Sequence, residues 1–213
     1  MCSPAPLDYT QDGVLYTCAR NILEQRLSDY RFLHSISVSQ TAVVLAELYG
    51  VDEGEARIAG LVHDWDKNYS DEELIARARE FGVPVRDWEE DMAALLHAQT
   101  GAEALRREFP MFSEAIIQAV ARHTSAASDM SPLDMVIYVA DMIEPLRTQG
   151  NVGALRALVG KLPLEALFLK SYETTMKHLV TRHRFIHPDS LEVWNTYIHK
   201  ERIGMKHTKK EHM

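Results

Sequence analysis

Apolar residues recur at steps of three and four along almost the whole chain, and two-residue alternation is nearly absent. That is the period of an α-helix with one buried face, so strands are excluded as the main building unit. "RFLHSISVSQTAVVLAELYG" places His34, Val38, Thr41, Leu45 and Leu48 on one face, with Gly50 as a C-terminal cap. "SDEEL" is a capping box of Ser70 and Glu73 that starts a helix toward Glu80, and Gly82 and Pro84 stop it. "WEEDMAALLHAQTGAEALRREF" groups Ala93, Ala94 and His97, with a second helical run after Gly101. "SEAIIQAVARHT" groups Ile116, Ala119, Val120 and His123. In "SPLDMVIYVADMIEPLR", Ser131 is the N-cap and Pro132 takes the first helical position. Asp134, Ile137, Tyr138, Asp141 and Glu144 then share a face that ends at Pro145. The expected fold is all-α, a helical bundle of about eight to ten helices.

Residues 1–28 read as an N-terminal helix and arm, 29–147 as the helical core, 148–200 as C-terminal helices packed on it, and 201–213 as a flexible tail. "TQGNVG" near 148–153 is the candidate boundary. With 213 residues, 46% of them hydrophobic and 25% charged, the chain can bury a real core. Cys2 and Cys18 are the only cysteines, and no cationic leader with an apolar centre precedes the first helix. A reduced, cytoplasmic protein is expected. Even the apolar stretch "MVIYVADMI" is broken by Asp141, so no membrane span is expected. The net charge of −8 argues against a general nucleic-acid surface, so a phosphate substrate must be drawn by local cations.

Histidine is the residue in excess, with ten copies. His178, His183, His187 and His199 stand near basic residues in the C-terminal quarter and read as surface groups. The others that matter sit at or near the ends of apolar segments: His34, His63 with Asp64, His97 and His123, joined by Asp141. Each alone has an ordinary explanation, such as a hydrogen-bonded core histidine or a helix-end cation. Burying all six without partners costs several kcal/mol, so they satisfy one another or a metal. Imidazole and carboxylate together suit a divalent ion that also holds water and phosphate oxygens. His63 and Asp64 in "AGLVHDWDKNYS" point about 100° apart on a regular helix, so both reach one ion only where the helix frays or ends.

The ordered stretches "YRFLHS", "IAGLVHDWDKNYS", "LLHA", "ARHT" and "DMVIYVADMIEPLR" span residues 30–147. This series resembles the HD-domain metal-dependent phosphohydrolases, and within them the YqeK-type symmetrical bis(5′-nucleosyl)-tetraphosphatases. The resemblance implies one metal held by His34, His63, Asp64 and Asp141, and a second by His97 and His123 with Asp64 bridging. It implies a pair of iron ions, with manganese, cobalt and zinc as alternatives, and central cleavage of diadenosine tetraphosphate into two ADP. Asp66 departs from the family, where a small or apolar residue usually stands, and adds a carboxylate expected beside the metal. The segment after Ile198 lies outside the resemblance.

Two divalent ions held close together polarise a phosphoryl oxygen and acidify a water between them, and Asp64 has two oxygens with which to bridge them. Lys67 follows the His–Asp pair closely enough to reach the same mouth, and with Asp64 it is the expected catalytic pair. Lys67, Arg31, Glu144 and Arg147 are the expected substrate contacts, with Glu144 alternatively orienting a ligand or pairing with Arg147. Trp65, Tyr69, Tyr138 and Trp88 are candidates to stack on a base. Two other readings stay open: an HD phosphohydrolase of nucleoside mono- or triphosphates, and a metal-stabilised nucleotide sensor without turnover. The expected partner is a dinucleoside polyphosphate or another small nucleotide, with a homodimer open.

Overall fold

The computed structural model describes residues 8–10, 13–148 and 152–211, with side chains through Ile203. Among these residues the chain forms α-helices and one 3-10 turn, and no strand. In order these are α1 (Val14–Arg26), α2 (Asp29–Tyr49), α3 (Glu53–Val62), α4 (Asp71–Phe81), α5 (Asp87–Glu90), the 3-10 turn Ala93–Leu96, α6 (His97–Glu108), α7 (Glu114–Arg122), α8 (Pro132–Ile143), α9 (Val152–Arg156), α10 (Leu164–Thr181) and α11 (Ser190–Glu211). Nine of the eleven helices are seven residues or longer, in keeping with the expected all-α bundle.

Local chemistry sets most boundaries. Ser70 and Glu73 form the reciprocal capping box that starts α4, and Ser131 with Asp134 does the same for α8, with Pro132 next. Asp52 caps α3 and Ser113 caps α7. Gly50 and Gly82 close α2 and α4 at φ 71° and 72°, a left-handed conformation that costs glycine little.

Helix α2 packs along α3 and α8, α7 lies against α3, α6 and α8, and α10 packs on α8. The core joins Val38, Ala42 and Leu45 with Ile58, Leu61, Ile116, Val120, Val136, Ile137 and Ala140. Each large aliphatic side chain buried there stabilises the fold by roughly 1.5–3 kcal/mol. Ser39 Oγ donates to the Arg57 carbonyl at 2.7 Å, a polar link between α2 and α3. The C-terminal helices dock through Tyr138, Phe168, Tyr172 and Tyr197, and the Tyr197 hydroxyl accepts from Met130 N–H at 3.0 Å.

Four expectations need correction. Leu48 is half exposed, because steps of four and three average 3.5 residues and drift about 20° per heptad from the true helical period. The buried stripe moves instead to Ala42, Leu45 and Ala46. Ala94 is exposed, because residues 93–96 wind as a tighter 3-10 turn. Gly101 interrupts nothing: α6 runs through it, where a Cβ would stand 3.4 Å from both Asp66 N and Trp65 Cβ. The segment 201–211 continues α11 as helix, where a flexible tail is expected. Its lysines and glutamates are good helix formers that extend a helix already begun at Ser190. The boundary at "TQGNVG" falls partly on residues 149–151, outside the described residues.

Candidate metal centre

Three histidines of the centre occupy the same local position. His63 is the C-cap of α3, His97 that of the 3-10 turn and His123 that of α7. A helix end leaves its last carbonyls without intrahelical partners. Each histidine turns its ring back onto the carbonyl three residues earlier: Nδ1–H of His63 donates to Gly60 O at 2.8 Å, that of His97 to Ala94 O at 2.5 Å, and that of His123 to Val120 O at 2.7 Å. This bond selects the Nδ1–H tautomer and leaves Nε2 as a bare lone pair. Helix α3 ends at Val62, so His63 and Asp64 escape helical spacing and meet at one place.

His34 joins from within α2. Its ring stands 5.2 Å from that of His63, which is 5.0 Å from His123, which is 5.0 Å from His97. Asp64 divides its two oxygens across this row. Oδ1 lies 3.1 Å from His97 Nε2 and 3.6 Å from His123 Nε2, while Oδ2 lies 3.7 Å from His63 Nε2 and 3.1 Å from Arg31 Nη1. Asp141 Oδ1 lies 3.0 Å from His34 Nε2 and 3.9 Å from His63 Nε2. All six expected ligand residues therefore converge, and five are buried with Asp141 at the rim.

The electrostatics follow from burial and mutual charge. Burial pushes His63 down to about 4, helped by the neighbouring His123 and His34 imidazoles. His97 is lowered, again chiefly by burial. His34 goes the other way: burial opposes it, yet the nearby charge of Asp141 and the hydrogen bond to Glu144 raise it above 6.5. Burial works against ionised Asp64, but the charge of His63 and the close approach of the His123 and His97 rings hold it well below the usual carboxylate range. Asp141 is held low in the same way, by His34, His63 and Arg147 against the cost of burial.

These residues fit divalent metal. Ligand atoms of His34, His63 and Asp141, and separately of His63, Asp64 and His123, lie within 4.8 Å of one another. Nε2 of His63 and of His34 are buried without a hydrogen bond, the His34 atom lying near Asp141 but off the required line. A buried polar nitrogen left unpaired is costly, and a metal satisfies it.

Three cations ring the centre. Arg31 reaches Asp64, Arg147 Nη2 reaches Asp141 Oδ1 at 2.7 Å, and Lys67 Nζ stands 3.4 Å from both His97 ring nitrogens. Burial lowers Lys67 from its ordinary range, with Arg31 and Arg147 adding to the effect.

Other expectations change. Glu144 is not open to substrate: it is fully buried behind His34 and does not pair with Arg147. Asp66 is buried as well, but its oxygens accept from Arg26 Nη2 at 3.0 Å and from Arg77 Nε and Nη2 at 2.9 and 3.2 Å, so it faces arginines and not the metal cluster. Trp65 is fully buried edge-on against Phe109, and Tyr138 is in the core with its hydroxyl donating to Thr175 Oγ1. Neither can stack on a base. Tyr69 lies beneath the Arg26 and Arg77 guanidinium groups. Trp88 is half-buried against His187, which makes His187 less of a surface group than His178, His183 and His199. The partners that sequence reasoning missed are Arg77 and Arg26, because nothing in the spacing of "ARAR" or "EQR" points to Asp66.

Comparison with known proteins places the chain in a family. Residues 31–146, over half the chain, match the HD domain family. A symmetrical bis(5′-nucleosyl)-tetraphosphatase from Bacillus subtilis is 34% identical over 81% of this chain and 92% of its own length. One from Halalkalibacterium halodurans is 33% identical over 83% of this chain and 94% of its own. A crystal structure from Clostridium acetobutylicum, described as a predicted HD superfamily hydrolase involved in NAD metabolism, superposes with a TM-score of 0.82 at 32% identity, covering 87% of this chain and 97% of that one. With residues 31–146 matching that family and a His–Asp pair, His63 and Asp64, at the end of α3, the chain belongs to the HD domain family of metal-dependent phosphohydrolases.

Proposed function

We propose that the protein hydrolyses diadenosine tetraphosphate symmetrically, giving two ADP. The observation that carries this reading is the joining of a two-lobed His/Asp centre to three cations at its rim, Arg31, Lys67 and Arg147. The names of the Bacillus and Halalkalibacterium relatives support the substrate.

His34, His63 and Asp141 would hold one divalent ion, and His97 and His123 a second, with Asp64 between them. When bound, such ions supply Lewis-acid activation of water and of a phosphoryl oxygen. Iron is the proposed metal. The chain's own residues supply placement. Arg31 and Arg147 each rest on a site carboxylate, Asp64 and Asp141, so both side chains are already turned toward the centre. Phosphate oxygens entering there receive charge-assisted hydrogen bonds from them and from Lys67. Cations on both sides of the centre favour a substrate whose phosphate chain passes across it, with a nucleoside on each side. Water adds to a central phosphorus, the bond to the bridging oxygen breaks, and each half leaves as a nucleoside diphosphate. Lys67, in the catalytic role proposed for it with Asp64, donates a hydrogen bond to the oxygen on which negative charge grows.

No helix among the described residues is long and apolar enough to cross a membrane. The cytoplasm is the compartment proposed, on Cys18, exposed and without a disulfide partner among the described residues.

The test is to load the protein with ferrous or manganous ion, add diadenosine tetraphosphate and separate the products by ion exchange. ADP as sole product, lost in Asp64→Ala, is expected. ATP with AMP would overturn the symmetrical cut, and no product from fully metallated protein would overturn the substrate.

A further inference from the structure

His34 differs from the other three histidines in one respect. They close a helix or a 3-10 turn and anchor Nδ1–H on the carbonyl three residues back. His34 lies inside α2, where the nearby carbonyls are committed to the helix. Its Nδ1 meets Glu144 Oε1 at 3.0 Å instead. Glu144 is fully buried, and its other oxygen, Oε2, accepts from Ser37 Oγ at 2.6 Å and from Leu146 N–H at 2.6 Å. Three donors from two segments thus surround one carboxylate.

Glu144 is also where the chain leaves α8, with extended backbone at φ −55° and ψ 152°. Arg147 N–H donates to Glu144 O at 3.0 Å, and the Arg147 guanidinium donates to Asp141 O and Oδ1 at 3.1 and 2.7 Å. The turn that aims Arg147 is therefore held by the same residue that orients His34.

We infer that Glu144 is a positioning residue that acts on two components at once: through Oε1 it fixes the His34 tautomer and ring for metal, and through Oε2 it fixes the turn that presents Arg147 to substrate phosphate. It replaces, for a histidine in mid-helix, the helix-end carbonyl that the other three use. A carboxylate in this place also raises the basicity of the ring nitrogen that faces the ion. The inference rests on the metal reading of the centre and not on the identity of the nucleotide.

The experiment titrates metal-free full-length protein with Mn2+ alone, comparing wild type, Glu144→Ala and Glu144→Gln, with circular dichroism to confirm helicity. Glu144→Ala is expected to weaken Mn2+ binding by about 10–100-fold. Glu144→Gln keeps the volume, so it covers the case in which the alanine variant does not fold. One amide cannot accept from both His34 Nδ1–H and Leu146 N–H, and a loss of about tenfold in Mn2+ affinity is expected. At saturating metal, either variant should also raise KM for the nucleotide more than it lowers kcat, through the displaced Arg147. A purely structural role predicts a lower Tm with Mn2+ affinity per folded molecule unchanged. Mn2+ affinity within about twofold of wild type in folded Glu144→Gln would overturn the inference, whether or not the nucleotide assay succeeds.

Discussion

Gly60 of α3 lies so close to Ser39 of α2 that a Cβ on it would stand 2.8 Å from Ser39 Cα and 3.1 Å from Ser39 N. These are backbone atoms and cannot rotate away. The contact sets the separation of the two helices that carry His34 and His63, and so the 5.2 Å between their rings. Gly60→Ala is expected to destabilise the protein by about 1–3 kcal/mol as an overpacked core does. It should also weaken metal binding, because α3 must shift with His63 on its end. Urea denaturation read beside metal content checks both, and a variant with unchanged midpoint and metal would refute the role of this contact.

Asp64 faces His97 and His123 with one oxygen and His63 with the other. Asp64→Ala is expected to lose both equivalents of metal, not one, and to lower activity by more than the roughly hundredfold ceiling typical of outer-shell partners. Elemental analysis of the purified variant decides it. Retention of one full equivalent would mean that the two lobes are independent.

Asp66 is a structural group by its contacts. Asp66→Ala leaves Arg26 and Arg77 without their shared carboxylate, at a cost of about 3 kcal/mol, the low end for an unpaired buried charge because both guanidinium groups touch water. Metal stoichiometry should not change. A variant of normal stability and altered metal preference would return Asp66 to the centre.

Arg147 uses Nε and Nη2 together, on Asp141 O and Oδ1. Arg147→Lys keeps the charge but loses that fork, so KM is expected to rise by about tenfold with a smaller change in kcat. Steady-state kinetics at saturating metal provide the check, and an unchanged KM would exclude Arg147 from substrate binding.

Metal uptake should depend on pH mainly through His34. His63 is pushed down to about 4 and His97 is lowered, so both are neutral and ready for metal at neutral pH. His34 is raised, so near neutrality it is the histidine that must shed a proton. Affinity should therefore still be increasing with pH above 6.5 before it levels off. The linkage in metal-free protein has the opposite sense. A raised folded-state pKa contributes stability that is fully present below the unfolded value and is lost as pH rises through the folded one. Calorimetry of Mn2+ binding in two buffers of different ionisation enthalpy measures the proton released. Release abolished in a folded His34→Gln variant is the expected result, and release unchanged in that variant would assign the proton elsewhere.

The sequence alone determined the all-α class and the caps at Ser70, Ser131, Gly50 and Gly82, and it singled out the six His and Asp residues that the fold brings together. Helix periods and caps are local properties, and His63, His97 and His123 each close a helical turn whose buried side points inward. Only the tertiary structure decided which groups face the metal site and which face away. Asp66 is two residues from Asp64, yet it turns to arginines on α1 and α4. Glu144 shares a helix face with Asp141, yet it lies behind His34. Trp65 and Tyr138 look like stacking platforms until α6 and α10 cover them. Each outcome depends on which distant helix supplies a charge, a donor or a covering surface, and spacing within one segment holds no information about that.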